Sequence, residues 1–305
     1  MSNISLSNQC VLVTGGGGFI GSHLVDQFVK RNEVRVLDNF TTGSRENVHQ
    51  SAEVIEGDVR DSNDLSAAVE GVDIVFHQAA QVSVERSIES PEKSFRSNTI
   101  PILTLLELAR EHDFRVVFAS SCAIYGDPQT IPIAEEHRLT PESPYGVEKL
   151  TGDYYTRIYH ELYDVETVAL RYFNVYGPRQ SGGDYSGVIG IFKSQAEEGR
   201  PITIEGDGGQ TRDFVHVSDI VQANCRAAVT ENLGEAFNVG TGSSTTISQL
   251  AEMIQEISSS SAEIVHTKER SGDIEHSEAS IKKIQQQMGF QPMIKLKKGL
   301  KKFIK

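Results

Sequence analysis

The stretch that most limits what this chain can fold into is Thr14-Gly15-Gly16-Gly17-Gly18-Phe19-Ile20-Gly21. It follows an apolar run, Cys10-Val11-Leu12-Val13, and precedes a helical pattern carried by Leu24, Val25 and Phe28. A short apolar run that stops at glycines reads as a buried parallel strand. Gly15, Gly18 and Gly21 fall at a three-residue spacing between that strand and that helix. Glycine is required there for a tight turn, for close approach of backbone to a pyrophosphate, and for close helix–strand packing. The helix N-terminus then turns free N–H groups and positive potential toward the phosphates. The next strand, Val34-Arg35-Val36-Leu37-Asp38, ends on an acid. A carboxylate in that place accepts from a ribose 2′-hydroxyl and repels a 2′-phosphate, which points to NAD rather than NADP as cofactor. Asp38 could equally serve as a turn or cap residue.

The alternation of strand and helix continues down the chain. Val54-Ile55-Glu56-Gly57-Asp58 ends a third strand, a helical segment covers 62–69, and Val72-Asp73-Ile74-Val75-Phe76 makes a fourth strand. A single helix over about 92–112 leads to Arg115-Val116-Val117-Phe118-Ala119, the fifth strand. A helix beginning near Tyr145 runs to about 163 and is followed by Thr167-Val168-Ala169-Leu170-Arg171. This order predicts an α/β fold, a Rossmann-type doubly wound parallel sheet with a smaller C-terminal α/β substrate lobe. Residues 1–175 are expected to form the NAD-binding domain, with a return segment over about 214–240 in which Ala236-Phe237-Asn238-Val239 rejoins the sheet. Residues 176–213 and 241–305 are expected to form the lobe, and Ser258 to Ser261 a short loop within it.

Composition removes several alternatives. A net charge of −13 argues against general nucleic-acid binding. No apolar run approaches the roughly 18 residues needed to span a bilayer, and the first residues lack a basic region followed by an apolar one, so a cytoplasmic protein is expected. Cys10, Cys122 and Cys225 lie far apart in no metal-like pairing; the first two read as buried small residues, and no metal site is expected. Lys295, Lys297, Lys298, Lys301, Lys302 and Lys305 are interleaved with Ile294, Leu300, Phe303 and Ile304, the pattern of a docked amphipathic terminal helix with a solvated lysine face.

The chemistry is carried by Tyr145-Gly146-Val147-Glu148-Lys149. A phenol and an ammonium four residues apart on a helix share one face. Tyrosine is a poor base at its reference pKa of about 10, and a nearby fixed cation is expected to favour the phenolate and bring it into range near neutrality. Ser121, at the carboxyl end of the fifth strand, is placed to share a substrate oxygen with Tyr145. Beside an NAD site, such a set suits hydride transfer at a carbinol carbon: Tyr145 takes the hydroxyl proton, Lys149 holds charge and the nicotinamide ribose, and Ser121 orients the hydroxyl. Asp58 could contact the adenine amino group, with Val59 supplying the next backbone N–H. Phe76-His77-Gln78-Ala79-Ala80 ends the fourth strand with small residues that leave room for the cofactor.

Taken together, the glycine loop, Ser120-Ser121 to Tyr125-Gly126, the Tyr145/Lys149 pair, Arg171-Tyr172-Phe173-Asn174-Val175-Tyr176-Gly177-Pro178-Arg179 and Thr211-Arg212-Asp213-Phe214-Val215-His216-Val217 resemble the extended short-chain dehydrogenase/reductase family, and within it the UDP-glucose (UDP-galactose) 4-epimerases. The resemblance implies bound NAD, a UDP-sugar substrate and a homodimer that pairs the helices over about 92–112 and 145–163 into a four-helix bundle. The cofactor set it completes adds Phe19, Ile20, Asn39, Thr42, Gly43, Gln81, Asn98 and Tyr172. On the substrate side it implies Asn174 and Arg212 at the UDP diphosphate, Val188 and Thr203 near uracil, Arg270 and Asp273 at UDP phosphate and ribose, and Ser83, Cys122 and Ala123 in the sugar site. Arg212 beside Asp213 could also be a surface ion pair.

Related dehydratases and decarboxylases carry an acid just after the Ser/Thr, where this chain has Cys122 and Ala123. The expected reaction is therefore 4-epimerisation of a UDP-hexose through a transient 4-keto sugar. Ser277, where a tyrosine is associated with restriction to plain hexoses, implies room for N-acetylated sugars, unless it is an exposed loop residue. A UDP-glucuronate 4-epimerase or another NAD-dependent nucleotide-sugar epimerase or dehydratase is the alternative, kept open by Arg86. A non-catalytic NAD sensor would be expected to lose Tyr145 or Lys149, and both are present.

Overall fold

The computed structural model describes residues 6–180, 187–269 and 274–304. Its strands are β1 (Cys10–Thr14), β2 (Glu33–Asp38), β3 (Glu53–Glu56), β4 (Ile74–His77), β5 (Arg115–Ser121), β6 (Thr167–Tyr172), β7 (Asn174–Tyr176), β8 (Ile202–Glu205), β9 (Thr211–Arg212), β10 (Phe214–His216), β11 (Glu235–Val239), β12 (Thr245–Thr246) and β13 (Ile264–Thr267). Seven of them form one sheet in the order β11-β6-β5-β4-β1-β2-β3, and every pairing in it is parallel. The fold is a Rossmann-type doubly wound sheet, with β11 as the returning edge strand. Chain order reverses direction at β1, which lies between β4 and β2, so the loops leaving β1 and β4 diverge there and open a crevice.

The helices are α1 (Phe19–Phe28), α2 (Ser62–Ala68), α3 (Val84–Glu89), α4 (Pro91–Asn98), α5 (Ile100–His112), α6 (Pro144–Tyr163), α7 (Val188–Glu197), α8 (Val217–Ala227), α9 (Ile247–Ser258), α10 (Lys282–Met288) and α11 (Leu296–Phe303). Successive strand residues point to opposite faces, and the core divides accordingly. On one face Val13, Val36, Phe76, Val117 and Leu170 pack with Leu24, Val25 and Phe28 of α1 and Ile220 and Ala223 of α8. On the other, Leu12, Leu37, Val75, Val116 and Phe118 pack with Leu65 of α2, Leu105 of α5 and Tyr159 of α6. A third cluster joins Tyr176, Phe192, Ile202, Ile204, Leu250, Ile254 and Leu300.

The structure departs from the sequence reading in a few places. The helix expected over 92–112 is two, α4 and α5, separated at Thr99. Pro101 causes the break, since it has no N–H for the carbonyl of Ser97 and its ring crowds that turn. The short helix α3 was not anticipated. Cys10 and Cys122 are half-buried rather than buried, and all three cysteines are free thiols. The terminal helix α11 docks through Leu300, leaves Lys298, Lys301 and Lys302 in solvent, and ties Lys297 to Glu256 of α9 at 2.7 Å. Among the described residues no helix is long and apolar enough to cross a membrane.

Candidate active site

Residue by residue, the crevice at the switch point is built on the glycine loop. Gly15 adopts φ +70°, a left-handed conformation, and a Cβ there would lie 2.8 Å from the backbone nitrogen of Ala79. A Cβ on Gly21 would lie 2.2 Å from the carbonyl oxygen of Gly15, so α1 sits against β1 at a distance no side chain permits. No side chain caps the start of α1 at Gly18, which leaves its first N–H groups for a ligand. Asp38 accepts from the backbone N–H of Gly17 and of Phe40, each at 2.8 Å. Its capping role is real, and the same carboxylate also lines the crevice.

That crevice has a volume of about 930 Å³. Gly15, Gly18, Phe19, Ile20, Gly21, Asp38, Asn39, Thr42, Gly43, Asp58, Val59, Gln78, Ala79, Ala80, Gln81 and Tyr172 line it, and so do Ser121, Tyr145 and Lys149. Asp58 is held well below the usual carboxylate range by the Arg60 guanidinium, and it also accepts from Asn39 Nδ2 at 2.9 Å. Tyr172 accepts from Asn224 Nδ2 at 2.8 Å, and burial pushes its phenol up to about 12. Asn98, expected at the cofactor, instead lies behind the wall, where its Oδ1 accepts from the N–H of Gln81 at 2.8 Å. Sequence reasoning missed Lys93 and Gln180, which line the crevice and which no motif marks, and Phe173, which lines it from within the Arg171–Arg179 motif.

The candidate reacting groups come from β5 and α6. Ser143 caps α6 by accepting from the N–H of Gly146 at 3.1 Å, which brings Tyr145 into the first turn and Lys149 one turn on. Lys149 Nζ donates to the carbonyl of Ala119 at 2.8 Å and lies 5.9 Å from the centroid of the Tyr145 ring. Burial pushes the Tyr145 phenol up to about 12, against a hydrogen bond from Ser121 that works to lower it. Burial also pulls Lys149 down to about 8. The expectation that the cation alone poises the phenolate near neutrality is thus corrected: in the protein by itself desolvation dominates, and Tyr145 keeps its proton. His77, one layer behind, is pulled down to about 3, chiefly by burial, and stays neutral.

Ser121 and Tyr145 line the crevice, whereas Ser83, Cys122, Ala123, Asn174, Val188, Thr203, Arg212 and Ser277 are not among its lining residues. Ser83 caps α3 by accepting from the N–H of Arg86 at 3.2 Å. Cys122 and Ala123 form the turn after β5, with the N–H of Ala123 donating to Ser121 Oγ at 3.2 Å. Asn174 Nδ2 donates to the carbonyl of Asp213 at 3.2 Å, and the charge of Arg212 reaches Cys122. Arg212 is not paired with Asp213 as a surface ion pair; Asp213 is fully buried and accepts from Thr241, Gly242 and Ala279. Ser277 is buried rather than exposed, and its N–H donates to the carbonyl of Thr211 at 3.1 Å. Val188 opens α7, and Thr203 of β8 donates its N–H to Gln195 Oε1 at 3.1 Å. Arg270 and Asp273 lie outside the described residues.

A model of the NAD dependent epimerase/dehydratase family matches residues 11–240. The chain belongs to that family. A UDP-glucose 4-epimerase of Mycolicibacterium smegmatis is 35% identical over 302 residues, covering 96% of this chain and 96% of that one. The solved UDP-N-acetylglucosamine 4-epimerase of Methanobrevibacter ruminantium, in complex with UDP-N-acetylmuramic acid, superposes with a TM-score of 0.94 at 36% identity over 98% of both chains. The Thermus thermophilus UDP-glucose 4-epimerase, solved with NAD, gives 0.89 at 37% identity over 97% of both. The protein is an enzyme of this family, and its cofactor is NAD.

The residues of the crevice fit that cofactor: the glycine loop admits backbone-close phosphates, and Asp38 offers a lone pair to a ribose hydroxyl. Gly21→Ala is expected to push α1 from β1 and weaken NAD binding at least tenfold in isothermal calorimetry; unchanged affinity would mean the crevice is not the NAD site.

Proposed function

We propose that this enzyme interconverts the C4 epimers of a UDP-hexose. The observation that carries the reading is the convergence of Ser121, Tyr145 and Lys149 on the wall of the crevice that the glycine loop and Asp38 also line. NAD supplies the acceptor and donor of hydride at C4, and its oxidised ring brings a positive charge into the site. The chain's own residues handle oxygen and proton. Tyr145 exchanges the proton of the C4 hydroxyl, and Ser121 holds that oxygen in line with the phenol. Lys149, fixed on the Ala119 carbonyl, adds a positive charge beside both. Cys122 and Ala123 place no carboxylate next to Ser121, which favours oxidation and re-reduction at one carbon over elimination at its neighbours. Turnover of the 4-keto sugar inside the pocket then lets hydride return to the other face.

Asn174 and Arg212 are the residues we assign to the UDP diphosphate, with Val188 and Thr203 toward uracil and Ser277 beside the sugar. Ser277 is small, so acetamido sugars are expected as substrates alongside plain hexoses. A second reading, UDP-glucuronate as substrate, is favoured by Arg86, which lines the crevice and would attract a sugar carboxylate. The assembly we assign is a homodimer. Phe95 and Ile100 on α4 and α5, and Val147, Tyr154, Ile158 and Leu162 along α6, are exposed apolar side chains on helices that a second copy would cover.

Separate incubation with UDP-glucose, UDP-GlcNAc and UDP-glucuronate, followed by separation of products, tests the reading; no conversion of any of the three with NAD present would end it. Tyr145→Phe should lower turnover by roughly 10²- to 10⁴-fold, the usual worth of a positioned acid–base group. Ser277→Tyr should depress turnover of the acetylated sugar relative to the plain one; an unchanged ratio removes Ser277 from the sugar site. For the assembly, Leu162→Glu should shift the sedimentation coefficient from dimer to monomer, and a wild type that already sediments as a monomer refutes it.

A further inference from the structure

One buried charge beside the reacting pair has no part in the mechanism so far. Glu148 stands between Val147, half of whose surface is in solvent, and Lys149, yet it is itself only 3% exposed. A carboxylate at that depth has to be hydrogen-bonded. Its partners lie across the helix interface on α4: Ser94 Oγ donates to Oε2 at 2.8 Å, and Asn98 Nδ2 donates to the same oxygen at 2.6 Å. Both donors are neutral, so they hold the carboxylate without cancelling its charge.

The chain of bonds continues into the cofactor crevice. Asn98 Nδ2 also donates to the carbonyl of Gln81 at 2.9 Å, and its Oδ1 accepts from the N–H of the same residue at 2.8 Å. Gln81 and Ser94 line the same crevice as Lys149 and Tyr145. Glu148 therefore anchors the amide that fixes the backbone just after β4, and it does so from the helix that carries the reacting groups.

We propose that Glu148 is a positioning residue, whose buried carboxylate sets a negative charge beside Lys149 while its hydrogen bond from Asn98 holds the crevice wall at Gln81. The inference rests on the reading of Tyr145 and Lys149 as the working pair. Lys149 Nζ is bonded to a neutral carbonyl, and among the described residues no anion in contact repays its burial. Burial pulls the lysine down to about 8, and Glu148 is the influence that opposes this fall. The same charge works with burial to keep the proton on Tyr145. The other titratable groups facing the pair are Cys122 on the turn after β5 and His77 at the end of β4. On the crevice lining Arg86 of α3 and Lys93 of α4 bring positive charge and Glu89 of α3 negative charge. Both the Cys122 thiol, pushed up to about 11, and His77 are neutral at neutral pH, and Glu148 is the carboxylate whose charge acts on both Tyr145 and Lys149.

Two substitutions separate the charge from the hydrogen bonds. Glu148→Gln keeps the shape and removes the charge; Asn98→Ala keeps the charge and cuts the link to Gln81. In the full-length protein, side-chain NMR of ¹⁵N-lysine, with the Lys149 signal identified by its loss in Lys149→Arg, reads the ionisation without any turnover. The expected result for E148Q is a Lys149 midpoint lowered by about one pH unit, a tenfold change in the proton equilibrium. The alkaline limb of the pH–rate profile should move with it. Asn98→Ala should leave the midpoint in place and weaken NAD affinity about tenfold in calorimetry. A Lys149 midpoint unchanged in E148Q overturns the charge role, and NAD affinity unchanged in Asn98→Ala overturns the anchoring role. A wild type that epimerises none of the sugars, with the Lys149 midpoint still lowered in E148Q, would defeat the functional reading and still support this one.

Discussion

The site depends on one close contact, that of the glycine loop against the end of β4. Gly15 can sit on the backbone of Ala79 only because it has no Cβ and takes a positive φ. The contact is keyed from behind by Thr14, whose Oγ1 accepts from the N–H of Ala79 at 3.2 Å. The same hydroxyl is hydrogen-bonded to Nδ1 of His77 at 2.8 Å, and burial keeps that imidazole neutral. Loop, strand end and buried histidine thus form one unit, and the opening between β1 and β4 keeps its shape through it.

The reacting helix is fixed to the sheet by a second network of comparable depth. Asp153 of α6 is fully buried and accepts from Arg171 of β6 through Nε at 2.9 Å and Nη2 at 3.0 Å, and from Ser120 of β5 at 3.1 Å. Arg171 reaches on to the hydroxyl of Tyr125, which donates to Asn238 of β11. A buried ion pair of this kind is weak evidence for stability, because desolvation offsets much of its attraction. Its value lies in direction. It permits one rotation of α6 about its axis, the one that turns Tyr145 and Lys149 toward the ends of β4 and β5.

What could be read from the sequence, and what could not, follows from which contacts are local. The glycine loop, the acid after β2 and the helical spacing of Tyr145 and Lys149 are set by neighbours in the chain, and they are legible there. The break at Thr99 is legible in principle, since Pro101 cannot supply the N–H that a single helix over 92–112 needs there. The position of Asn98 behind the wall, the burial of Glu148 and the crevice residues Lys93 and Gln180 depend on packing between segments distant in sequence. The protonation of Tyr145 is the clearest case. Spacing gives the cation, whereas the desolvation that outweighs it belongs to the assembled core.

The same reasoning explains why Arg212 and Ser277, 65 positions apart by number, can be considered together at all. Asp213 is the connection. Its Oδ1 accepts from the N–H and hydroxyl of Thr241 at 2.8 and 2.6 Å, and its Oδ2 accepts from the N–H groups of Gly242 and Ala279 at 3.0 and 3.2 Å. One carboxylate thereby ties the strand bearing Arg212 to the segment bearing Ser277 and to the loop after β11. Burial raises its proton affinity, and the four donors work to lower it. A group so occupied has no lone pair to spare for the neighbouring guanidinium, which turns instead to the carbonyl of Thr211 and toward Cys122. The arginine that sequence alone would leave in a surface ion pair is in this way left to act on the turn that follows Ser121.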